Sequence, residues 1–167
     1  VSGDSTISAM DASYILQYGV GFIEDFPVEN QSEVVIASGN FLMNTFADSF
    51  NDEEMYFEVP IYIDNGDNLY SFEHHFNYDS SMISIDEIDK GDNIDDFIIQ
   101  FNADNNELIV VGASYTEDGV AGTFFTISGT FNQNNDYGTT TSISLESVRL
   151  NENNLQNNFG IYSTVVN

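Results

Sequence analysis

The feature that most constrains this fold is a period-two alternation of apolar and polar residues. In Tyr56-Phe57-Glu58-Val59-Pro60-Ile61-Tyr62-Ile63 the residues Phe57, Val59, Ile61 and Ile63 fall on one side of an extended chain. Tyr56, Glu58, Pro60 and Tyr62 fall on the other, because successive side chains of a strand point to opposite faces. Similar short segments recur, and they predict strands at 34–37, 41–45, 55–64, 70–78, 82–85, 97–101, 108–113, 122–130, 142–150 and 160–166. Turn-forming clusters such as Asp64-Asn65-Gly66-Asp67-Asn68 and Asn132-Gln133-Asn134-Asn135-Asp136-Tyr137-Gly138 separate them. After Pro27 no segment keeps the period of a helix. Many short strands without helices predict an all-β, antiparallel β-sandwich.

At 167 residues, with 41% hydrophobic and 14% aromatic content, the chain can bury a real core and carry a short appendage. Its charge is extreme: 28 acidic residues stand against Lys90 and Arg149, a formal net charge of -26. Such a surface repels nucleic acid and anionic membranes, which excludes both as partners. It also repels copies of itself, so close assembly requires cations or high ionic strength. With no cysteine, disulfides, thiolate metal sites and cysteine nucleophiles are excluded. No signal peptide or membrane-length apolar run is present, which implies a removed targeting sequence or a piece of a longer secreted protein.

The first residues read as most of a calcium loop running into a helix. EF-hand loops place oxygen ligands at loop positions 1, 3, 5, 7, 9 and 12, with an apolar residue at 8. Taking Ile7 as that apolar residue puts Ser2, Asp4, the Thr6 carbonyl, Ser8 and Asp11 at positions 3, 5, 7, 9 and 12. Position 1 would precede Val1, and Ser5 stands where glycine is usual. The segment also reads as a plain amphipathic helix docked on the next domain, with Ile7, Tyr14, Ile15 and Tyr18 as its buried stripe.

Two resemblances follow from these residues. Ser8-Ala9-Met10-Asp11-Ala12-Ser13-Tyr14-Ile15-Leu16-Gln17-Tyr18, with Gly19-Val20-Gly21-Phe22-Ile23 and Phe26-Pro27, resembles the second half of a type I dockerin repeat. Dockerins are calcium-binding modules that plug into cohesin domains. Phe57-Glu58-Val59-Pro60-Ile61-Tyr62-Ile63 and Leu69-Tyr70-Ser71-Phe72-Glu73-His74-His75-Phe76-Asn77-Tyr78-Asp79, followed by Met82-Ile83, resemble the second and third strands of a cohesin. Segments 107–113, 122–129 and 143–148 fit the later cohesin strands in order. His74 stands where that family usually has an apolar residue, and Ser80 replaces a usual proline. The resemblances imply a partial dockerin-like loop and helix over 1–27 and a jelly-roll type, cohesin-like sandwich over 28–167.

No constellation points to catalysis. His74 and His75 are adjacent on one strand and face opposite ways, so they cannot hold one ion together. His74 shares a face with Phe72 and Phe76, which predicts a packed core histidine; His75 shares a solvated face with Glu73 and Asn77. A glycosidase needs two carboxyls about 5 to 10 Å apart in a sugar-sized cleft, and no segment singles out such a pair. The acidic clusters at 86–96 and 102–107 fit no EF-hand and read as solvated turns. Tryptophan, the strongest sugar platform, is absent.

The expectation is therefore a non-catalytic extracellular or cell-surface module of a prokaryote that mediates cation-dependent protein association. The partner is a protein, with other copies of the chain as one candidate through head-to-tail assembly into a filament or scaffold. Calcium at Ser2, Asp4, Thr6, Ser8 and Asp11 is the expected ion. The alternative is adhesion to polysaccharide.

Overall fold

The computed structural model describes residues 7–26, 37–43, 49–51, 56–91, 94–132, 140–151, 153–155 and 163–166. One helix, α1 (Ala9–Gly19), precedes nine strands. These are β1 (Ser38–Met43), β2 (Ser49–Asn51), β3 (Tyr56–Asn77), β4 (Ile83–Lys90), β5 (Ile98–Asp104), β6 (Glu107–Phe131), β7 (Thr141–Leu150), β8 (Asn153–Leu155) and β9 (Ser163–Val166). Residues 34–36 and 160–162 of the expected terminal strands, and the expected ligands Ser2, Asp4 and Thr6, lie outside the described residues.

Every strand pairing is antiparallel, and two long strands organise the rest. β3 and β6 pair along almost their whole lengths, from Tyr56 opposite Thr130 to Asn77 opposite Glu107. Their outer neighbours change halfway. The first half of β3 carries β1 and β2, and its second half carries β7. β6 carries β5 on its first half and β4 on its second. One sheet therefore runs β5-β6-β3-β7 and the other β4-β6-β3 with β1 and β2, the two leaves of a β-sandwich.

This corrects the expected turn at Asp64-Asn65-Gly66-Asp67-Asn68. The chain stays extended there and bends instead, through register shifts between Ile63, Gly66, Leu69 and Ser71. Bulges of this kind add twist and let one strand pass from one leaf to the other. Asn68 takes a left-handed backbone at φ 54, a conformation asparagine tolerates. Residues 114–121 bend likewise, so the expected strands 108–113 and 122–130 are one. A true tight turn joins β5 to β6, where Asn105 and Asn106 both have positive φ, at 51 and 68, as a two-residue hairpin turn demands.

The alternation read from the sequence holds. Phe57, Val59, Ile61 and Ile63 are buried with Phe41, Phe72, Phe76, Leu108, Phe124, Phe125 and Ile127 in one core between the leaves. Phe72 packs directly over Gly112, where an added Cβ would sit 2.2 Å from the ring. His74 lies wholly inside this core, as its shared face with Phe72 and Phe76 predicted. Its ring meets Phe41 edge-on with centroids 4.4 Å apart and lies parallel to Phe76 at 6.0 Å.

Helix α1 departs from the expected stripe. Ile7 is fully exposed, while Ile15 and Tyr18 are about half exposed, at 53% and 51%. The buried positions are Met10, Asp11, Ser13 and Gln17. The helix is thus seated by its more polar side. The reason lies in its partner: this side meets the bend of β6, where the Ser114 carbonyl accepts from the Ser13 hydroxyl.

Candidate protein-interaction face

The outer surface of the β5-β6-β3-β7 leaf is built by alternation from the residues that do not enter the core. β3 contributes Ser71, Glu73 and His75; β6 contributes Ile109, Val111 and Ala113; β5 contributes Ile98, Gln100 and Asn102. Registration places Glu73 opposite Val111, His75 opposite Ile109, and Ile98 opposite Ala113. On β7, Arg149 lies opposite Glu73 and Ser147 opposite His75.

Helix α1 lies across one end of this face. Ser8 caps its first turn: Asp11 N–H donates to Ser8 Oγ at 3.3 Å, and Ser8 N–H donates to Asp11 Oδ2 at 2.9 Å. This reciprocal capping box satisfies two donors that the helix start would leave orphaned. Ser13 Oγ–H then donates to the carbonyl of Ser114, and Gln17 Nε2–H donates to Ser13 Oγ at 3.0 Å. Met10 Sδ accepts from Ser71 Oγ at 3.5 Å. Beyond the helix, Tyr18 stacks on Phe26 and Phe22 leans on Tyr115. Between α1 and the edge strand β5 runs a groove of about 290 Å³ with an almost wholly apolar lining.

The expected calcium ligands divide. Ser8 and Asp11 are brought together, with Ser8 Oγ 3.4 Å from Asp11 Oδ2, and each already serves the helix cap. The S-x-x-D spacing Ser8 to Asp11 signals that cap as directly as it signals loop positions. Among the described residues, no cluster of three or more histidine or acidic side chains is placed to hold a metal. Three of the described acids of the 86–96 cluster accept hydrogen bonds from neighbouring hydroxyls: Asp86 from Thr130, Asp89 from Ser128 and Asp96 from Thr116.

At the open end of the face, sequence reasoning missed a cluster. His75 bridges two carboxylates, with Nε2 2.8 Å from Glu73 Oε1 and Nδ1 2.9 Å from Glu107 Oε1. Partial burial pulls its pKa down, but the hydrogen bonds its ring donates to Glu107 and Glu73, with their charges, outweigh this and leave it raised above the ordinary 6.5. Glu73 and His75, two apart on one strand, were legible as neighbours. Glu107 was not, because only the β3–β6 register brings it there. His74 behaves oppositely: burial first, and the adjacent His75 second, lower its pKa to about 3.

This architecture has known counterparts. The family model for the cohesin domain matches residues 52–160, well over half of the chain. The chain belongs to the cohesin family. Cohesin domains are non-catalytic interaction modules that bind dockerins, and the N-terminal helix lies outside the matched span. No curated protein matches the chain. Among solved structures it is similar to a non-cellulosomal cohesin from the hyperthermophilic archaeon Archaeoglobus fulgidus, at 12% identity and a TM-score of 0.58, over 78% of this chain and 90% of that one. It is also similar to a chain in a type I cohesin–dockerin complex from Clostridium thermocellum, at 18% identity and a TM-score of 0.59, over 77% and 97%. A third is the cohesin module of a family 33 glycoside hydrolase from Clostridium perfringens, at 15% identity and a TM-score of 0.56, over 78% and 96%. At these identities the likeness speaks for the fold. No helix among the described residues is long and apolar enough to cross a membrane.

Proposed function

We propose that this cohesin domain is a non-catalytic, extracellular or cell-surface assembly module of a prokaryote, and that it captures a dockerin-type protein partner on the outer face of its β5-β6-β3-β7 leaf. The observation that carries this reading is that the face already seats a helix, through Met10, Ser13 and Gln17 of α1. A surface able to hold one helix by a few side chains and a strand carbonyl can hold another. The open remainder offers Ile109 beside the Glu73–His75–Glu107 cluster, an apolar anchor next to fixed charge, a combination typical of protein interfaces.

Association is cation-dependent in this reading, because the repulsion between a body of net charge -26 and an acidic partner must be screened before they can approach. Calcium at the head of α1, through Ser2, Asp4, Thr6, Ser8 and Asp11, is the ion proposed, with hydroxyl, carbonyl and carboxylate oxygens of the kind it prefers. The 1–27 segment is proposed as a dockerin-like appendage to the 28–167 sandwich. Since α1 rests on its own sheet, a separate partner is favoured over a head-to-tail filament of copies.

The test is calorimetric titration of purified dockerin modules into the protein, with calcium and with chelator, for the natural sequence and for Ile109→Asp. Saturable binding that Ile109→Asp weakens supports the reading. Heatless titrations with every dockerin tested would sink it. Adhesion to polysaccharide is the second reading, favoured by a polar trough of about 610 Å³ between Asn77, Asp79, Asn106 and Thr141. Retention on insoluble polysaccharide by a protein indifferent to dockerins would select it.

A further inference from the structure

Helix α1 is mounted with its polar side inward and its apolar side outward, the reverse of a surface helix in a soluble monomer. Met10, Ser13 and Gln17 face the sheet. Ile15 borders the groove between helix and sheet, Ile15 and Tyr18 are half exposed, and Val20 and Phe22 continue the apolar strip past the helix end at 53% and 63% exposure. Across the groove stands Ile98 of edge strand β5, exposed at 56%. Ala9, Ala12 and Val111 form a low floor and wall that allow close approach of a backbone.

The charge distribution singles out the same patch. In a chain with 28 acids among 167 residues, the stretch 7–23 holds only Asp11, which is buried in the helix cap. Residues 97–103 and 108–116, which supply β5 short of its last residue Asp104 and the part of β6 beyond Glu107 as far as Thr116, hold none. The outward surface of α1, its groove and Ile98 form a contiguous uncharged, apolar area on an otherwise acidic body. Exposed apolar patches on soluble proteins mark association sites, and depletion of charge is the compositional mark of an interface core.

We infer that this patch is a self-association surface, and that its occupant is a second copy of this chain. Two bodies of charge -26 repel wherever their acids approach, so copies can meet only where the acids are missing. A basic partner would be drawn to the rest of the surface instead. Helix and groove lie side by side in one patch, so the α1 of each copy rests in the groove of the other about a two-fold axis. Such a contact is isologous: it closes as a dimer and does not propagate. The inference rests on the assembly reading only in taking the module to work through protein contact, and its test needs no dockerin.

The experiment is sedimentation equilibrium of the purified protein over a range of concentrations at low and high sodium chloride, with Ile15→Glu and Ile98→Glu alongside. The expected result is a monomer–dimer equilibrium that tightens as salt rises. Either substitution should raise the dimer dissociation constant about tenfold or more, as removal of a central apolar anchor does. Both positions are exposed in the monomer, so melting followed by circular dichroism at a concentration where the protein is monomeric should be unchanged. A monomer at every concentration and salt overturns the inference, as does a dimer that neither substitution weakens or an assembly that grows beyond two. Dimerisation without dockerin binding would leave this inference standing and remove the proposed partner; the reverse result would remove only this inference.

Discussion

Replacing His74 by leucine should move stability steadily in the variant's favour as the pH falls. Neither ring nitrogen of His74 has a hydrogen-bond partner among the described residues, and the side chain is wholly buried. A neutral imidazole has one donor and one acceptor to satisfy. A buried polar group left unsatisfied costs about 1–3 kcal/mol. Leucine removes that cost but also the ring contacts with Phe41, Phe72, Phe76 and Phe125, each worth about 0.5–1.5 kcal/mol where geometry is good. Four such contacts and two unsatisfied nitrogens come to similar totals, so the two effects largely cancel near neutral pH and the pH decides the difference.

The pH dependence is the sharper signature. Burial holds the folded pKa of His74 at about 3, far below the ordinary 6.5 that the unfolded chain regains. Between those values the unfolded state binds a proton that the folded state refuses. His74 therefore costs no stability by protonation above pH 6.5, and costs about 1.4 kcal/mol more for each unit the pH falls below it. At pH 5 the penalty is about 2 kcal/mol. Urea denaturation of both proteins at pH 8, 6.5 and 5, at fixed ionic strength, isolates it, since the carboxylates titrate alike in both and cancel in the difference. The advantage of His74→Leu should widen by about 2 kcal/mol from pH 8 to pH 5. A difference that stays flat with pH would refute the reasoning, because it would mean that the folded protein takes up the proton as readily as the unfolded one.

Three further outcomes follow from particular contacts. His75, whose pKa is raised, should titrate above 6.5 in a proton NMR series. Its pairing with Glu73 and Glu107 is complete below 6.5 and lost as pH rises through the folded value, so Glu107→Gln should move the titration downward. Asn151 accepts from the N–H groups of Tyr70 and Ser71, each at 3.0 Å, and donates to the carbonyl of Asn68. Asn151→Ala should cost about 2–4 kcal/mol in chemical denaturation, with two backbone donors orphaned beside β3. At Gly91 an added Cβ would sit 1.7 Å from the carbonyl oxygen of Thr123, so Gly91→Ala must push β4 off β6. A loss of about 3 kcal/mol or more is expected by thermal melting, and a loss below about 1 would contradict the packing there.

The sandwich was largely legible because alternation is local. Phe57, Val59, Ile61 and Ile63 announce a two-faced strand from their own spacing, and the same logic placed His74 in the core beside Phe72 and Phe76. The turn expected at Asp64-Asn65-Gly66-Asp67-Asn68 failed because β6 follows β3 through the bend. A partner strand that supplies ladder hydrogen bonds keeps an otherwise turn-prone run extended, with Gly66 set opposite Val120. The interaction face was half legible: Glu73 and His75 share a face by spacing, but Glu107 arrives from a different strand.

The sequence alone determined the fold class, the absence of thiol chemistry and an acidity that repels nucleic acid and anionic membranes, since all of these depend on composition or on spacing within a segment. Its cohesin resemblance, resting on that same spacing, anticipated the family. Only the tertiary structure decided which way α1 turns. The apolar stripe of Ile7, Tyr14, Ile15 and Tyr18 predicted their burial, yet Ile7 is fully exposed and Ile15 and Tyr18 are half exposed, Tyr14 alone being partly covered. Instead the carbonyl of Ser114, left by the bend in β6, takes the Ser13 hydroxyl, and Met10 settles against Ser71. A helix's periodicity defines its faces, but the surface it lands on decides which of them is buried.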